Sequence, residues 1–400
     1  MQKDLPYCGD CGIQKKSYIY VCFRIIVVHG HVAAVPLRGL SSCVCDVEIE
    51  NSFRNSGIQT SNQPEQALAT STRGLFCGSI FSNFQFVNIL MISPFFLHHK
   101  VGRTPLRRMS FLEPNEGIEI HAKLEWQQLG GSVKSRPAFR ILKQAIASGQ
   151  WRSGMHMLDA TSGNTGIAYA TFCQAAGIPL TLCLPENASQ ERKDLLAKLG
   201  AEIILTSPFE GTDGAQEEAQ RLVRTQPWKY VYLDQYSNPE NWRAHSETTA
   251  EEIWEQTEGR ITHFVAGLGT TGTFVGTSRR LTELSSIARR GKDIIKISLQ
   301  PETALHGLEG WKHLETAHIP GIYDAEIPDE QERVSTEASY AMIRRVFLEC
   351  KLRLSPSAAA NLAGTLAIAK KKGPGVYVTI LADDASKYSE VYKRLKLPVQ

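Results

Sequence analysis

The chain has 400 residues, of which 42% are hydrophobic and 21% charged, enough length and apolar content for more than one lobe around a substantial core. A formal net charge of +3 is too small to make nucleic acid or an anionic membrane the main partner. A small molecule is the expected ligand.

From Met1 to about residue 99 there is no sustained helical or alternating period, and apolar clusters such as 21–28 lack cap or turn signals. The segment reads as an irregular or disordered extension, or as sequence upstream of the true start, and its deletion is expected to be harmless. Six of the nine cysteines fall there: Cys8, Cys11, Cys22, Cys43, Cys45 and Cys77. Cys8-x-x-Cys11 and Cys43-x-Cys45 could supply zinc thiolates, but no second pair stands at a repeatable spacing, so no metal site is expected. Cys173, Cys183 and Cys350 show no paired spacing, which suits free thiols in a reducing cytoplasm. The apolar run 86–97 is too short to cross a bilayer and is broken by Ser93 and Pro94. Where a secretory signal would carry its apolar region, the chain is polar and basic.

After Gly102, strand-like and helix-like patterns alternate with short connections, which predicts α/β architecture. Residues 135–149 place Ala138, Ile141, Leu142, Ala145 and Ile146 at helical spacing, with Gly149 as the C′ residue. A strand over 155–159, a helix over 165–176 stopped by Gly177, and a strand over 180–184 follow. Ser189 is the expected N-cap of a helix over 190–199, and 202–205 is the next strand. Further strands are expected over 230–234, 263–266, 294–300 and 376–381, with helices over 239–256, 272–284, 336–349 and 357–371. Such apolar strands belong in parallel sheets covered on both faces, whose ligands bind beyond the carboxyl ends of the strands.

Three turns are therefore candidates for chemistry. Gly267-Leu268-Gly269-Thr270-Thr271-Gly272-Thr273 joins a strand to a helix, so its N–H groups converge at the positive end of a helix dipole and suit a phosphate. It lacks both the Walker lysine pattern and a full dinucleotide fingerprint, and alone it is also what a ligand-free glycine turn looks like. Thr161-Ser162-Gly163-Asn164-Thr165-Gly166 offers hydroxyls and an amide at another helix start, suited to a carboxylate or simply to a cap. In Gly130-Gly131-Ser132-Val133-Lys134, the lysine stands near a helix N-terminus, where the dipole disfavours its charge. That position with partial burial would lower its pKa and free its amine for Schiff-base chemistry, although most lysines are solvated surface residues.

The three turns in this order resemble the cysteine synthase and cystathionine β-synthase family of pyridoxal-phosphate enzymes, from Gly102-Arg-Thr-Pro-Leu106 to Tyr388. The resemblance implies a two-lobed fold type II enzyme, tryptophan synthase β-like, with residues 100–400 as the catalytic core. The smaller lobe would span about 135–245, the larger about 100–134 plus 246–400. It implies pyridoxal 5′-phosphate as cofactor, bound as a Schiff base to Lys134, its phosphate on Gly269, Thr270, Thr271, Gly272 and Thr273. Asn164 would meet the phenolic oxygen. Thr161, Ser162, Gly163, Thr165 and Gln235 would hold the substrate carboxylate. Ser357, in Ser355-Pro-Ser357, would face the pyridine nitrogen, with Ser355 the alternative if the register slips by two.

The implied reaction is β-replacement on an activated serine, acetylated or phosphorylated, by sulfide or another sulfur donor, with Lys134 as the Cα base. Lys312, His306 or His313 would meet the leaving group, because an anion needs a cation. A homodimer is implied, and neither nucleic acid nor membrane. The chain departs from the family at Thr271, where a second glycine is common, at Ser135 for aspartate, at Arg103 for asparagine, and at Gln128-Leu129 for Asn-Pro. Rival readings are cystathionine β-synthase, a serine or threonine dehydratase, and a non-catalytic binding protein on the same fold.

Overall fold

The computed structural model describes residues 23–28, 31–36, 100–161, 163–288 and 293–398. In the N-terminal unit, β1 (Phe23–Val28) and β2 (His31–Pro36) form an antiparallel hairpin, from Phe23 opposite Pro36 to Val28 opposite His31. The density of β-branched residues favours extended backbone in a stretch that shows no clean alternation. Cys8, Cys11, Cys43 and Cys45 lie outside the described residues.

The second unit is built on two sheets. The four-stranded sheet comprises β5 (His156–Ala160), β6 (Leu180–Pro185), β7 (Glu202–Thr206) and β8 (Tyr230–Tyr232), all parallel, in the order β7-β6-β5-β8. The six-stranded sheet comprises β3 (Leu106–Arg108), β4 (Ile118–Leu124), β9 (His263–Gly267), β10 (Ile295–Pro301), β11 (Glu330–Val334) and β12 (Gly375–Leu381), in the order β11-β10-β9-β12-β4-β3. Only the β3–β4 pair is antiparallel. All six residues of β6 are buried, as expected of a strand covered on both faces.

The helix expected from residue 135 runs Ser135–Ala147 and buries Ala138, Ile141, Leu142, Ala145 and Ile146, the stripe its spacing predicts. Each large aliphatic side chain so removed from water contributes about 1.5–3 kcal/mol. The helix after β5 runs Asn164–Ala176 and stops at Gly177, whose φ of 65° is left-handed. Gly166 lets it sit close to β5 and β6: a Cβ there would lie 2.8 Å from Thr161 Cγ2.

Several expectations are corrected. Ser189 occupies the N-cap of the Gln190–Lys198 helix, but its side chain makes no capping bond. The single helix expected over 239–256 is Glu240–Ala244, a π-helical turn His245–Thr249, and Ala250–Gln256. Strands β3, β4 and β11 and the helices Gly211–Thr225 and Ser389–Arg394 are additional. Lys123 and Glu119 interrupt the apolar pattern of β4, and β11 is a charged edge strand. Gly211 and Gly214 disguise a helix that nevertheless buries Ala215, Ala219 and Leu222.

Candidate active site

The three turns meet in one cleft. Lys134, Asn164, Gly269 and Thr270 all line both a cavity of about 230 Å³ and a smaller adjoining one of about 50 Å³. Thr161, Gly163, Thr165 and Gln235 line the larger; Thr271, Thr273 and Ser357 line the smaller. Ser162 lies outside the described residues. Gly272 is buried against Asn241, so close that a Cβ would lie 2.0 Å from Asn241 Oδ1.

Lys134 is delivered by a turn in which Gly130 and Gly131 have φ of 88° and 64°. A Cβ on Gly130 would come within 2.6 Å of Ser135 Oγ, so glycine is required there on two counts. The chain is pinned by Val133 N–H donating to the Ala382 carbonyl at 2.8 Å. Lys134 is half-buried, and among the described residues none accepts a hydrogen bond from its Nζ. Burial pushes its amine below the ordinary lysine value, while the charge of Asp383 works the other way.

The loop before the Gly272–Ile287 helix presents open donors. None of the backbone N–H groups of residues 269–273 has a partner among the described residues, and Thr271 Oγ1 is buried without one. Orphan donors at a helix N-terminus, with no acidic residue in the first turn, suit a phosphate. Thr271 itself is left-handed, with φ of 71°, a conformation that favours glycine. A Cβ on Gly269 would sit 2.1 Å from the Gly310 carbonyl oxygen, so the loop and the 304–324 segment approach backbone to backbone. Below the loop, fully buried His245 places Nε2 3.2 Å from Thr273 Oγ1. Burial first, then the charge of Arg136, brings its pKa to about 3, so its imidazole is neutral.

A hydrogen-bond chain joins the two loops. Thr165 donates to Gln235 Oε1 at 2.6 Å, and Gln235 Nε2 donates to the Ala160 carbonyl at 2.9 Å. Asn241 Nδ2 then donates to the Gln235 carbonyl at 2.6 Å and to Thr270 Oγ1 at 3.2 Å. At the other wall, Ser355 Oγ caps its helix by accepting from Ala358 N–H at 3.1 Å. That commits Ser355 and leaves Ser357 as the serine of the pair on the cavity.

Of the three expected cations, Lys312 lines the larger cavity, 3.2 Å from Asp213 Oδ1 and with Nζ 5.1 Å from the Tyr236 ring centroid. His306 accepts from Leu308 N–H and His313 bonds Thr316; neither is among the lining residues. Sequence reasoning missed Arg192, which lines the cavity, pairs with Glu309 and stacks on Tyr388. It also missed Asn241, His245, Trp311 and Asp383. The rule that sites gather beyond parallel strand ends could have found Arg192, just after β6, and Asp383, just after β12.

Among the described residues there is no cluster of metal ligands, and no helix is long and apolar enough to cross a membrane. A family model described as pyridoxal-phosphate dependent enzyme matches residues 97–383. A cysteine synthase of Aquifex aeolicus is 45% identical over 295 residues, 72% of this chain and 88% of that protein. The structure resembles the cysteine synthase of Entamoeba histolytica, with a TM-score of 0.68 and 29% identity over 82% of this chain and 94% of that one. It also resembles an O-acetylserine-dependent cystathionine β-synthase of Helicobacter pylori, with a TM-score of 0.67 and 29% identity over 73% of this chain and 96% of that one. Cleft, loops and sequence thus agree that the chain belongs to the family of pyridoxal-phosphate dependent enzymes.

Proposed function

We propose that the chain is a cysteine synthase: it replaces the β-substituent of an activated serine, acetylated or phosphorylated, with sulfide or another sulfur donor to give L-cysteine. The observation that carries this reading is an unpartnered, charge-disfavoured lysine amine sharing a cavity with a cradle of orphan N–H groups. An aldehyde that also bears a phosphate fits both ends. In this reading residues 269–273 hold the phosphate, Lys134 takes the aldehyde, and Ser357 meets the pyridine nitrogen. Asn164 serves the phenolic oxygen.

Pyridoxal phosphate, when bound, supplies a conjugated ring that accepts the electron pair released at Cα. The chain's own residues do the rest. Thr161, Ser162, Gly163, Thr165 and Gln235 would hold the substrate carboxylate and orient the Cα–H bond, where a small misplacement costs rate. Once the substrate amine takes its place on the aldehyde carbon, the released Lys134 amine, favoured as neutral by burial, would remove the Cα proton and later return one. The Cβ–O bond breaks with the electron pair leaving on acetate or phosphate, and the sulfur nucleophile forms the new bond at Cβ. A hydroxyl such as that of Ser357 cannot keep the ring nitrogen protonated as a carboxylate would, which favours elimination over transamination. Lys312, which lines the larger cavity, would meet the leaving group.

Residues 135–245 serve as the smaller lobe and 100–134 with 246–400 as the larger, in a cytoplasmic homodimer; the free thiols of Cys173, Cys183 and Cys350 suit that compartment. The likeness to the Helicobacter pylori enzyme supports homocysteine as a second thiol to test. The decisive experiment mixes the cofactor-loaded chain with acetylserine or phosphoserine against sulfide and homocysteine. Cysteine formation from sulfide is the expected outcome; cystathionine alone would transfer the reading to the second thiol, and a chain that takes up no cofactor would end it.

A further inference from the structure

Behind Asn164 and Tyr388, which line the cleft, stands a buried carboxylate that the reaction above does not use. Asp383 stands just beyond β12 and is fully buried. Its Oδ2 accepts from Asn164 Nδ2 at 2.8 Å and from the Tyr388 hydroxyl at 3.0 Å, with Lys387 Nζ at 3.7 Å. Its Oδ1 is buried with no hydrogen-bond partner among the described residues. A buried carboxylate oxygen left open is costly unless the site uses its charge.

Two consequences follow from this geometry. A carboxylate accepts and does not donate, so the Asn164 amide must turn its nitrogen, not its oxygen, toward Asp383. An amide nitrogen carries two N–H groups, and the second remains for the cavity that Asn164 lines. Without the carboxylate, the Asn164 head could rotate and offer its C=O to the same place. The second consequence concerns Lys134, whose amine is pushed down by burial and pulled back only by Asp383.

We propose that Asp383 is a positioning residue: it fixes Asn164 with an N–H toward the phenolic oxygen of the cofactor, and holds a negative charge against the Lys134 amine. This rests on the pyridoxal phosphate reading above. The other groups around the carboxylate are Tyr388 and Lys387 from the C-terminal turn, and Arg192, which stacks 5.5 Å over Tyr388 and pairs with Glu309.

The test uses the full chain freed of cofactor with hydroxylamine. Pyridoxal phosphate is added across a pH series, and the rate at which the visible band appears is recorded for wild type, Asp383→Asn and Asp383→Ala. The Asn variant keeps the shape and an acceptor for Asn164 but loses the charge. Burial then acts on Lys134 unopposed, so the midpoint of its pH–rate profile should move to lower pH. The Ala variant should show the same shift and also hold cofactor about 10-fold more weakly, because the Asn164 head is released. The nearly isosteric Asn variant carries the test should the Ala variant not fold. A lowered Tm with unmoved midpoints would mean a merely structural role and overturn the proposal. A wild-type chain that never acquires the band would overturn the cofactor reading itself, and this inference with it.

Discussion

Lys123 and Lys134 are both withdrawn from water, and in both burial pushes the amine below its ordinary value, yet their surroundings differ in kind. Lys123 donates to the Thr104 carbonyl at 2.6 Å and to Gln256 Oε1 at 2.9 Å, and pairs with Glu252 Oε2 at 2.7 Å. Around it, Arg136 bridges Glu125 and Glu252 through a set of short charged contacts, with Thr104 closing the network. Lys134 has no such partner among the described residues. Desolvation alone therefore does not mark a reactive lysine. An amine held by three acceptors is fixed in place, whereas an unheld one can form and break a covalent bond.

The largest effect that would break this contrast is loss of the free amine. Lys134→Ala should lower kcat/KM by at least about 10³-fold and abolish the visible band, with little change in Tm, measured on the cofactor-treated full chain. Lys123→Met should do the reverse: destabilisation of about 3 kcal/mol in urea melts, because it takes a cation from the largely buried Glu252 and a donor from the Thr104 carbonyl, with the band retained. A colourless but stable Lys123→Met protein would show that the two lysines are not separable.

The network also has a pH signature. Burial works to raise the Glu252 carboxyl, but the hydrogen bond and charge of Arg136, then of Lys123, overcome it and hold the pKa at about 2. A depressed carboxyl contributes stability above its unfolded pKa and loses it as pH falls through the folded one. The stability gap between wild type and Glu252→Gln should thus be constant near neutrality and shrink from about pH 4.5 toward about pH 2. A gap unchanged across that window would remove Glu252 as the source.

In the cleft, Gly269→Ala would drive a Cβ to 2.1 Å from the Gly310 carbonyl. Cofactor binding should weaken about 10²-fold, read by ultrafiltration, because the proposed phosphate loop must move. The smallest effect is expected at the other end of the chain. Removing residues 1–99 should change kcat/KM by less than about two-fold, since the family match, residues 97–383, overlaps the deleted segment by three residues only. An inactive or insoluble truncation would give that segment a role in folding.

The regular βα alternation was legible because parallel strands such as β6 and β12 are continuous apolar runs and their helices end on glycine or lysine signals. The turns at 161–166 and 267–273 were legible as candidate sites because strand, glycine turn and helix start are adjacent in sequence. Charged positions hid the rest. Lys123 makes β4 read as a surface segment, although its side chain is fully buried by partners distant in the chain. Arg192 reads as the solvated face of a polar helix, and only the approach of that helix to the turn after β12 brings it over Tyr388. Thr165 and Gln235 are likewise far apart in sequence, and no local pattern announces their 2.6 Å hydrogen bond.

The π-helical turn at His245–Thr249 sits midway along a rod whose two ends serve different tasks. On its leading half, Asn241 and His245 support Thr270 and Thr273; on its trailing half, Thr248, Glu252 and Gln256 grip Arg136 and Lys123. That turn absorbs one extra residue while the helix on either side keeps its facing, because a widened turn sweeps about the same angle as an ordinary turn with one residue fewer. Excising a single residue there would close the coil to ordinary pitch and leave the two halves nearly in phase. The same deletion elsewhere along the rod would rotate one half by about 100° against the other, so a one-residue loss should be best tolerated at this widened coil.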